Sequence, residues 1–397
     1  MHKTKNSESL KPSWRSVKFG DVVQLSKARC ADPLAEGVER YVGLEHLEPG
    51  DLRIRNWGNV ADGVTFTSVF QPGQVLFGKR RAYQRKVAVA DFSGVCSGDI
   101  YVMETKDAEV LLPELLPFIC QTDSFFEHAV GTSAGSLSPR TNWTSLANFE
   151  FALPSLDKQR NLLAVLSSLE NCLDSAEELA VSAERLRHSL MIDHFEAQHP
   201  EYRKVSEIGK WHSGGTPSRG NTTYWGGPIP WISPKDMKRS ELDAAEETLT
   251  KEGVEAGSKL MPKNTIFIVV RGMILAHTFP VARTLVPAAF NQDMKALVVD
   301  DAFRPKYIQY WFEYAAQRYL RLVSESSHGT KRLESDKLFS LTVPKLSIEE
   351  QDILVERVDE VRNAVGKADT RRKNALVMKR QFLSLNLGSL GSSNVSI

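Results

Sequence analysis

Lys79, Arg80, Arg81, Arg85 and Lys86 form a basic run that contains no acid and is interrupted by Tyr83. Lysine commonly meets phosphate, arginine bonds bidentately to guanine, and a tyrosine can stack or donate a hydrogen bond, so the run has the chemistry of a nucleic-acid-binding loop. The plainer reading is a solvated charged loop, and the lack of an acid within the run weighs against it. Two further polar loops are comparable: Ser136, Ser138 and Arg140 in the first half of the chain, and His328, Thr330, Lys331 and Arg332 in the second. Ser218, Arg219 and Asn221, reinforced by Lys235 and Lys238, form another candidate, and Arg271 with His277 a sparser one. Hydroxyls and cations in loops suit phosphate contact.

Catalytic chemistry is harder to find. Asp91, Glu104 and Lys106 have spacing compatible with a nuclease centre in which carboxylates hold magnesium. At an offset of 194, however, Val298 and Asp300 stand where Glu104 and Lys106 would recur. There is no Asn/Asp-Pro-Pro-aromatic tetrapeptide for a flipped base, no Gly-Lys-Ser/Thr phosphate loop, no GxSxG and no HExxH. His212, His277 and His328 are scattered and read as surface or core histidines. The chain is expected to be a non-catalytic recognition protein that binds no metal or cofactor.

Lysine and arginine number 50 against 49 acids, a net charge of +1 that neither demands nor excludes a polyanion partner. Local charge must therefore decide. No run approaches the roughly 18 apolar residues of a membrane span. The polar start from Met1 to Trp14 lacks a signal-peptide core, and Cys30, Cys96, Cys120 and Cys172 lie far apart with no CxxC pair. A cytoplasmic protein with reduced thiols is expected.

The elements that position the loops come as an internal repeat. Trp14-Arg15-Ser16-Val17 resembles Tyr202-Arg203-Lys204-Val205, and Phe70 to Phe77 matches Leu260 to Phe267 at an offset of 190. Val87-Ala88 pairs with Val281-Ala282, and Asp99-Ile100 with Asp293-Met294, at an offset of 194. The four-residue jump places an insertion in the second copy. Leu153-Pro154 then answers Val343-Pro344, and a glutamine follows each, Gln159 and Gln351.

Beyond the glutamines, apolar residues run in register at an offset of 192: Leu162, Leu166, Leu169 and Leu173 with Leu354, Val358, Val361 and Val365. Alternating steps of four and three are the seam of a coiled coil. About 35 residues at about 1.5 Å each give a rod of about 50 Å, roughly 15 base pairs of duplex. In the heads, 74–77, 87–90 and 100–103 read as strands, as do 265–270, 281–283 and 294–299. Stretches 113–130 and 305–324 read as helices, and 149–153 and 341–343 as closing strands. The fold class is α/β (α+β): duplicated globular heads joined by two long helices. The expected divisions are a tail (1–13), a first head (14–153), a central helix (154–199), a second head (200–343), a C-terminal helix (344–387) and a disordered tail (388–397).

Gly214-Gly215-Thr216-Pro217-Ser218-Arg219, continuing through Tyr224-Trp225-Gly226-Gly227-Pro228-Ile229-Pro230-Trp231-Ile232-Ser233 to Asp236-Met237, resembles the opening of a target recognition domain. Such domains belong to the specificity subunit of type I restriction-modification systems. Asn291-Gln292-Asp293 and the entry to each helix, Leu/Val-Pro-x-Leu…Gln, fit the same family. The first copy departs from it, with Ser26-Lys27-Ala28-Arg29 where a Gly-Gly-Thr-Pro turn would stand. The resemblance implies two target recognition domains that each read half of a bipartite asymmetric DNA target. It implies two antiparallel coiled-coil helices that dock two methyltransferase subunits, with restriction subunits joining them. S-adenosylmethionine, ATP and magnesium would then sit on the partners, and the system would serve DNA methylation and host defence. The alternative is a duplicated coiled-coil scaffold that binds proteins without DNA specificity.

Overall fold

The computed structural model describes residues 14–325 and 329–387. The expected tails at 1–13 and 388–397, and the candidate His328, lie outside the described residues. The chain divides into two compact units, one containing the described residues up to Ala176 together with those from Thr370, the other Glu177–Asp369.

In the first unit, Val23–Leu25, Ile100–Thr105, Val75–Gly78 and Val87–Val89 form an antiparallel sheet in that order. The expected strand at 74–77 is apolar without alternation because both of its faces are covered. Val75 and Phe77 pack with Phe19, Phe125 and Phe151, while Leu76 points the other way into a cluster with Val42, Phe70 and Cys96. That second cluster lines a small sheet of Gly58–Asn59, Arg40–Val42, Gly94–Cys96 and Ser68–Phe70, in which Tyr41 pairs parallel with Val95. The helix expected over 113–130 is broken. Thr122 is extended and its hydroxyl caps Phe125 N–H at 3.3 Å, so one helix ends at Cys120 and a new one runs Asp123–Gly131.

The second head has the corresponding sheet, Gly209–Ser213, Met294–Val299, Ile266–Val269, Val281–Thr284 and Glu241–Leu242. Its helix Pro305–Leu320 is continuous; Tyr307 to Phe312 are buried all round it, and Ala315 and Tyr319 continue the burial on one face. It stops short of the expected Ser324, which instead pairs as a strand with Arg332. A small sheet joins Glu247–Leu249, Trp225–Ile232 and Ala289–Phe290, with Trp231 parallel to Ala289.

Each head closes the same way. Trp14–Lys18 pairs antiparallel with Glu150–Pro154, Trp14 opposite Pro154; Tyr202–Lys204 pairs with Thr342–Pro344, Tyr202 opposite Pro344. A helix of 40 residues follows each closing strand, Leu156–Phe195 and Ile348–Leu387.

Along the expected seam Leu162, Leu166, Leu354, Val358 and Val361 are buried, whereas Leu169, Leu173 and Val365 are half-buried. Buried seam residues pack into the cores of the heads. Leu162 and Leu166 belong to the first head's core with Phe19 and Leu115, and Leu383 and Leu387 pack into that same cluster. In the second unit, Leu354 and Val358 pack with Met191, Phe195 and Tyr307. Lys379 reaches Glu170 at 2.5 Å in the first unit, and Arg187 and Arg362 converge on Glu313 in the second. In both units, the start of one long helix therefore lies against the end of the other.

Candidate nucleic-acid interface

The basic run leaves the strand Val75–Gly78 and turns through Ala82–Gln84, with Arg81 and Arg85 both left-handed at φ 53° and 57°. Its absence of acid holds along the chain and fails in space. Antiparallel pairing sets Gly78 opposite Ile100, which delivers Asp99 to the run. Arg80 meets the Asp99 carboxylate at 3.2 Å and Arg140 meets it at 2.8 Å. Burial alone would raise the Asp99 pKa, but the hydrogen bonds from Arg140 and Arg80 outweigh it and hold the carboxyl below its ordinary value. Arg85 pairs with Asp123 at 2.5 Å and stacks on Phe126, 4.6 Å from the ring centre. Lys86 donates to the Leu44 carbonyl at 2.7 Å. These side chains hold the head together, which corrects the picture of a freely solvated cationic loop.

Two loops read separately from the sequence are thereby one surface. Arg80 and Arg81 both donate to the Ser138 hydroxyl, at 3.1 and 3.2 Å, and Arg81 N–H donates to the Pro139 carbonyl at 2.7 Å. Lys79 lies over the Tyr101 ring at 4.6 Å. Tyr83 is 56 % exposed and Leu137 is 91 % exposed, with Ser136 open to solvent beside it.

The second head repeats the backbone of this surface. Lys79 N–H donates to Asp99 C=O at 2.9 Å, as Val270 N–H does to Asp293 C=O at 2.9 Å. Thr141 N–H to Lys79 C=O at 3.0 Å is matched by Leu333 N–H to Val270 C=O at 2.9 Å. Arg80 bridges Arg140, and Arg271 bridges Arg332. The side chains differ. Arg271 lies 4.0 Å from Asp293, Arg332 pairs with Glu334 at 3.1 Å, and Lys331 with Glu325 at 2.6 Å. His277 is exposed, Thr330 is half-buried, and Met273 stands 62 % exposed at the loop.

The glycine-rich segment forms a separate region. A side chain on Gly214 would meet the Asn291 carbonyl at 2.1 Å, and one on Gly215 the Gly257 carbonyl at 2.3 Å, so the Gly-Gly-Thr-Pro path is structural. Trp231 Nε1 donates to the Gly215 carbonyl at 3.0 Å. Arg219 is held bidentately by Glu247 and lies over Trp225 and Trp231 at 4.0 and 5.1 Å. That hydrogen bonding, more than the opposing burial, lowers the Glu247 pKa. Asn221 caps the turn at Thr222–Tyr224, with its side-chain oxygen 3.1 Å from Thr223 N. The Ser218 carbonyl accepts from Trp225 Nε1 at 3.2 Å. Lys235 is exposed, and Lys238 lies 3.8 Å from Glu246.

Two residues of the nuclease-like triplet have other partners, and the third, Asp91, is exposed. Glu104 accepts from Gln24 at 2.9 Å and Gln74 at 2.7 Å, and Lys106 donates to the Gly20 carbonyl. His212 lies in the strand Gly209–Ser213, its pKa lowered by burial and by nearby Lys259 and Lys210. Cys30, Cys96 and Cys120 are buried free thiols and Cys172 is half-buried. Among the described residues no group of three or more His, Cys, Asp or Glu is placed to hold a metal, and no helix is long and apolar enough to cross a membrane.

The arrangement is that of a chain with two mixed α/β heads, each packed on long helices and each bearing a zipped pair of polar loops. Residues 199–376 match the family described as the type I restriction modification DNA specificity domain. The chain is 36% identical over 218 residues to the type I restriction enzyme EcoR124I/EcoR124II specificity subunit of Escherichia coli, covering 52% of this chain and 54% of that protein. It is 31% identical over 156 residues to the MjaIX specificity subunit of Methanocaldococcus jannaschii, covering 38% of this chain and 35% of that protein. These matches span about half or less of the relatives' own length.

Among solved structures, the S subunit of a type I restriction-modification system from M. genitalium superposes with a TM-score of 0.59 at 13% identity, covering 98% of this chain and 99% of that one. A chain from a structure describing complex assembly and conformational transition of the type I R-M system gives 0.59 at 18%, covering 95% and 98%. These last two likenesses concern the fold. The resemblance to type I specificity subunits read from Gly214 to Met237 holds, since that segment lies inside the matched residues.

Proposed function

We propose that this chain is the DNA sequence-specificity subunit of a type I restriction-modification complex, non-catalytic itself and cytoplasmic. The observation that carries the reading is the recurrence of one loop scaffold, built on Asp99 and on Asp293, with unlike side chains on each copy. A duplicated frame carrying different readers suits a bipartite asymmetric duplex target. Its two target recognition domains correspond to 14–153 and 200–343, and its helices act as an antiparallel coiled-coil spacer. Two modification subunits dock on it, restriction subunits join them, and S-adenosylmethionine, ATP and magnesium belong to those partners. Arg81, Tyr83, Ser138, Lys235, Arg271, His277 and Thr330 lie on the DNA side in this reading, with Lys79, Arg80, Arg140, Lys331 and Arg332 as supporting cations.

Methylation-site mapping of genomic DNA with and without the gene tests the proposal. The expected result is a two-part motif with an unspecified spacer. Exchange of residues 14–153 for another first head should change one half of the motif only; change in both halves rules out modular reading. Absence of any motif, together with duplex binding that is flat between low and moderate salt, rules out DNA recognition.

A further inference from the structure

We infer that Arg40, which lies outside every basic loop discussed above, is a guanine-reading residue of the first head; this rests on the DNA-specificity reading. Its guanidinium lies over two adjoining rings, 4.4 Å from the centre of Trp57 and 4.9 Å from that of Phe92. Trp57 and Phe92 themselves pack at 5.2 Å. A guanidinium held against aromatic faces loses freedom while its N–H donors remain available to a partner beyond the rings. Among the described residues those donors have no ion pair or hydrogen bond, unlike Arg80, Arg85, Arg140 and Arg219, which are all committed to acids.

The backbone beneath is rigid. Arg40–Val42 is an inner strand of the small sheet, and a side chain on Gly94 would meet the Arg40 carbonyl at 2.6 Å. A site on a strand holds a donor more tightly than a site on a loop. Arg40 and Phe92 also line an open cavity of about 410 Å³ with Glu39, Gln71 and Ser93.

The choice of guanine over phosphate follows from Glu39. A carboxylate in the same lining repels a phosphate, whereas guanine presents two neutral acceptors, O6 and N7, at the spacing of the guanidinium fork. The second head offers an internal comparison. Arg219 likewise lies over two aromatic rings of the small sheet, but Glu247 occupies its fork. The same device is open in one head and closed in the other, so the effect should fall on one half-site.

The test is selection from a random duplex library by the full chain assembled with its methyltransferase subunits, comparing wild type with Arg40→Gln and Arg40→Lys. Loss of one bidentate pair should reduce preference for guanine at a single position of the first half-site by roughly tenfold to a hundredfold. The second half-site should be unchanged, which also shows that the variant folds and assembles. Arg40→Lys should fail to restore the preference, because a point charge lacks the fork. If both variants keep the first half-site intact, the assignment to Arg40 is wrong while the specificity reading stands. If Arg40→Gln weakens all sequences equally and lowers the salt slope by about one, Arg40 meets phosphate and the guanine assignment is wrong. A wild-type complex that selects no sequence overturns both readings.

Discussion

Gln159 and Gln351 are fully buried and make the same three side-chain hydrogen bonds. Gln159 accepts from Leu112 N–H at 3.0 Å and donates to the Val110 and Pro154 carbonyls at 3.0 and 2.9 Å. Gln351 accepts from Arg304 N–H at 2.7 Å and donates to the Ala302 and Leu346 carbonyls at 2.9 and 3.0 Å. Each glutamine ties the first turn of a long helix to the loop that precedes the head's own helix.

Replacing either glutamine by leucine strands a buried N–H and two carbonyls. Each substitution should destabilise the protein by about 3 kcal/mol, since an unmet buried polar group costs about 1–3 kcal/mol. Urea unfolding followed by far-UV circular dichroism measures this; an unchanged midpoint would show the bonds to be dispensable.

Arg81 and Arg85 should behave differently although they are four apart. Arg85→Ala removes the Asp123 pair and the Phe126 contact and should lower the thermal midpoint. Arg81→Ala leaves the head's acid pairs intact, so stability should hold while DNA affinity of the assembled complex falls and the salt slope drops by about one. Titrations at several salt concentrations, beside thermal melts, separate the two.

Lys379 is 4 % exposed and its ammonium depends on Glu170. Lys379→Met alone leaves a carboxylate facing apolar surroundings and should cost about 3 kcal/mol, whereas Glu170→Met with Lys379→Met should return to within about 1 kcal/mol of wild type. A double-mutant cycle reads the coupling directly, and additive losses would mean the two residues act independently.

His194 supplies a pH dependence. Burial and the neighbouring His199 lower its pKa to about 4 against the opposing pull of Glu350. The unfolded imidazole takes up its proton near its ordinary value of about 6.5, so acid favours the unfolded chain between those two values. Stability should therefore fall as pH drops from about 6.5 toward 4 and be insensitive to this group above that range. His194→Phe, which keeps the ring beside Phe195 and Tyr307, should flatten the slope in melts across this interval.

The matched segments and the paired glutamines were legible in the chain because each depends on residue type at a fixed spacing. Periodicity located the strands near 75–78, 87–89 and 100–105 and both long helices, since apolar side chains must face a core at the period of their own element.

Sequence could not rank the cations. Arg80 and Arg140 are 60 positions apart and each lies far from Asp99 along the chain; only antiparallel pairing brings them to one carboxylate. Arg40 stands alone among unlike residues along the chain, and the rings it lies over, Trp57 and Phe92, belong to other segments. Local spacing determined the repeated frame and the basic loops. Tertiary pairing decided which charges are neutralised within the fold and which guanidinium keeps an open edge, because electrostatic partners are set by distance in space.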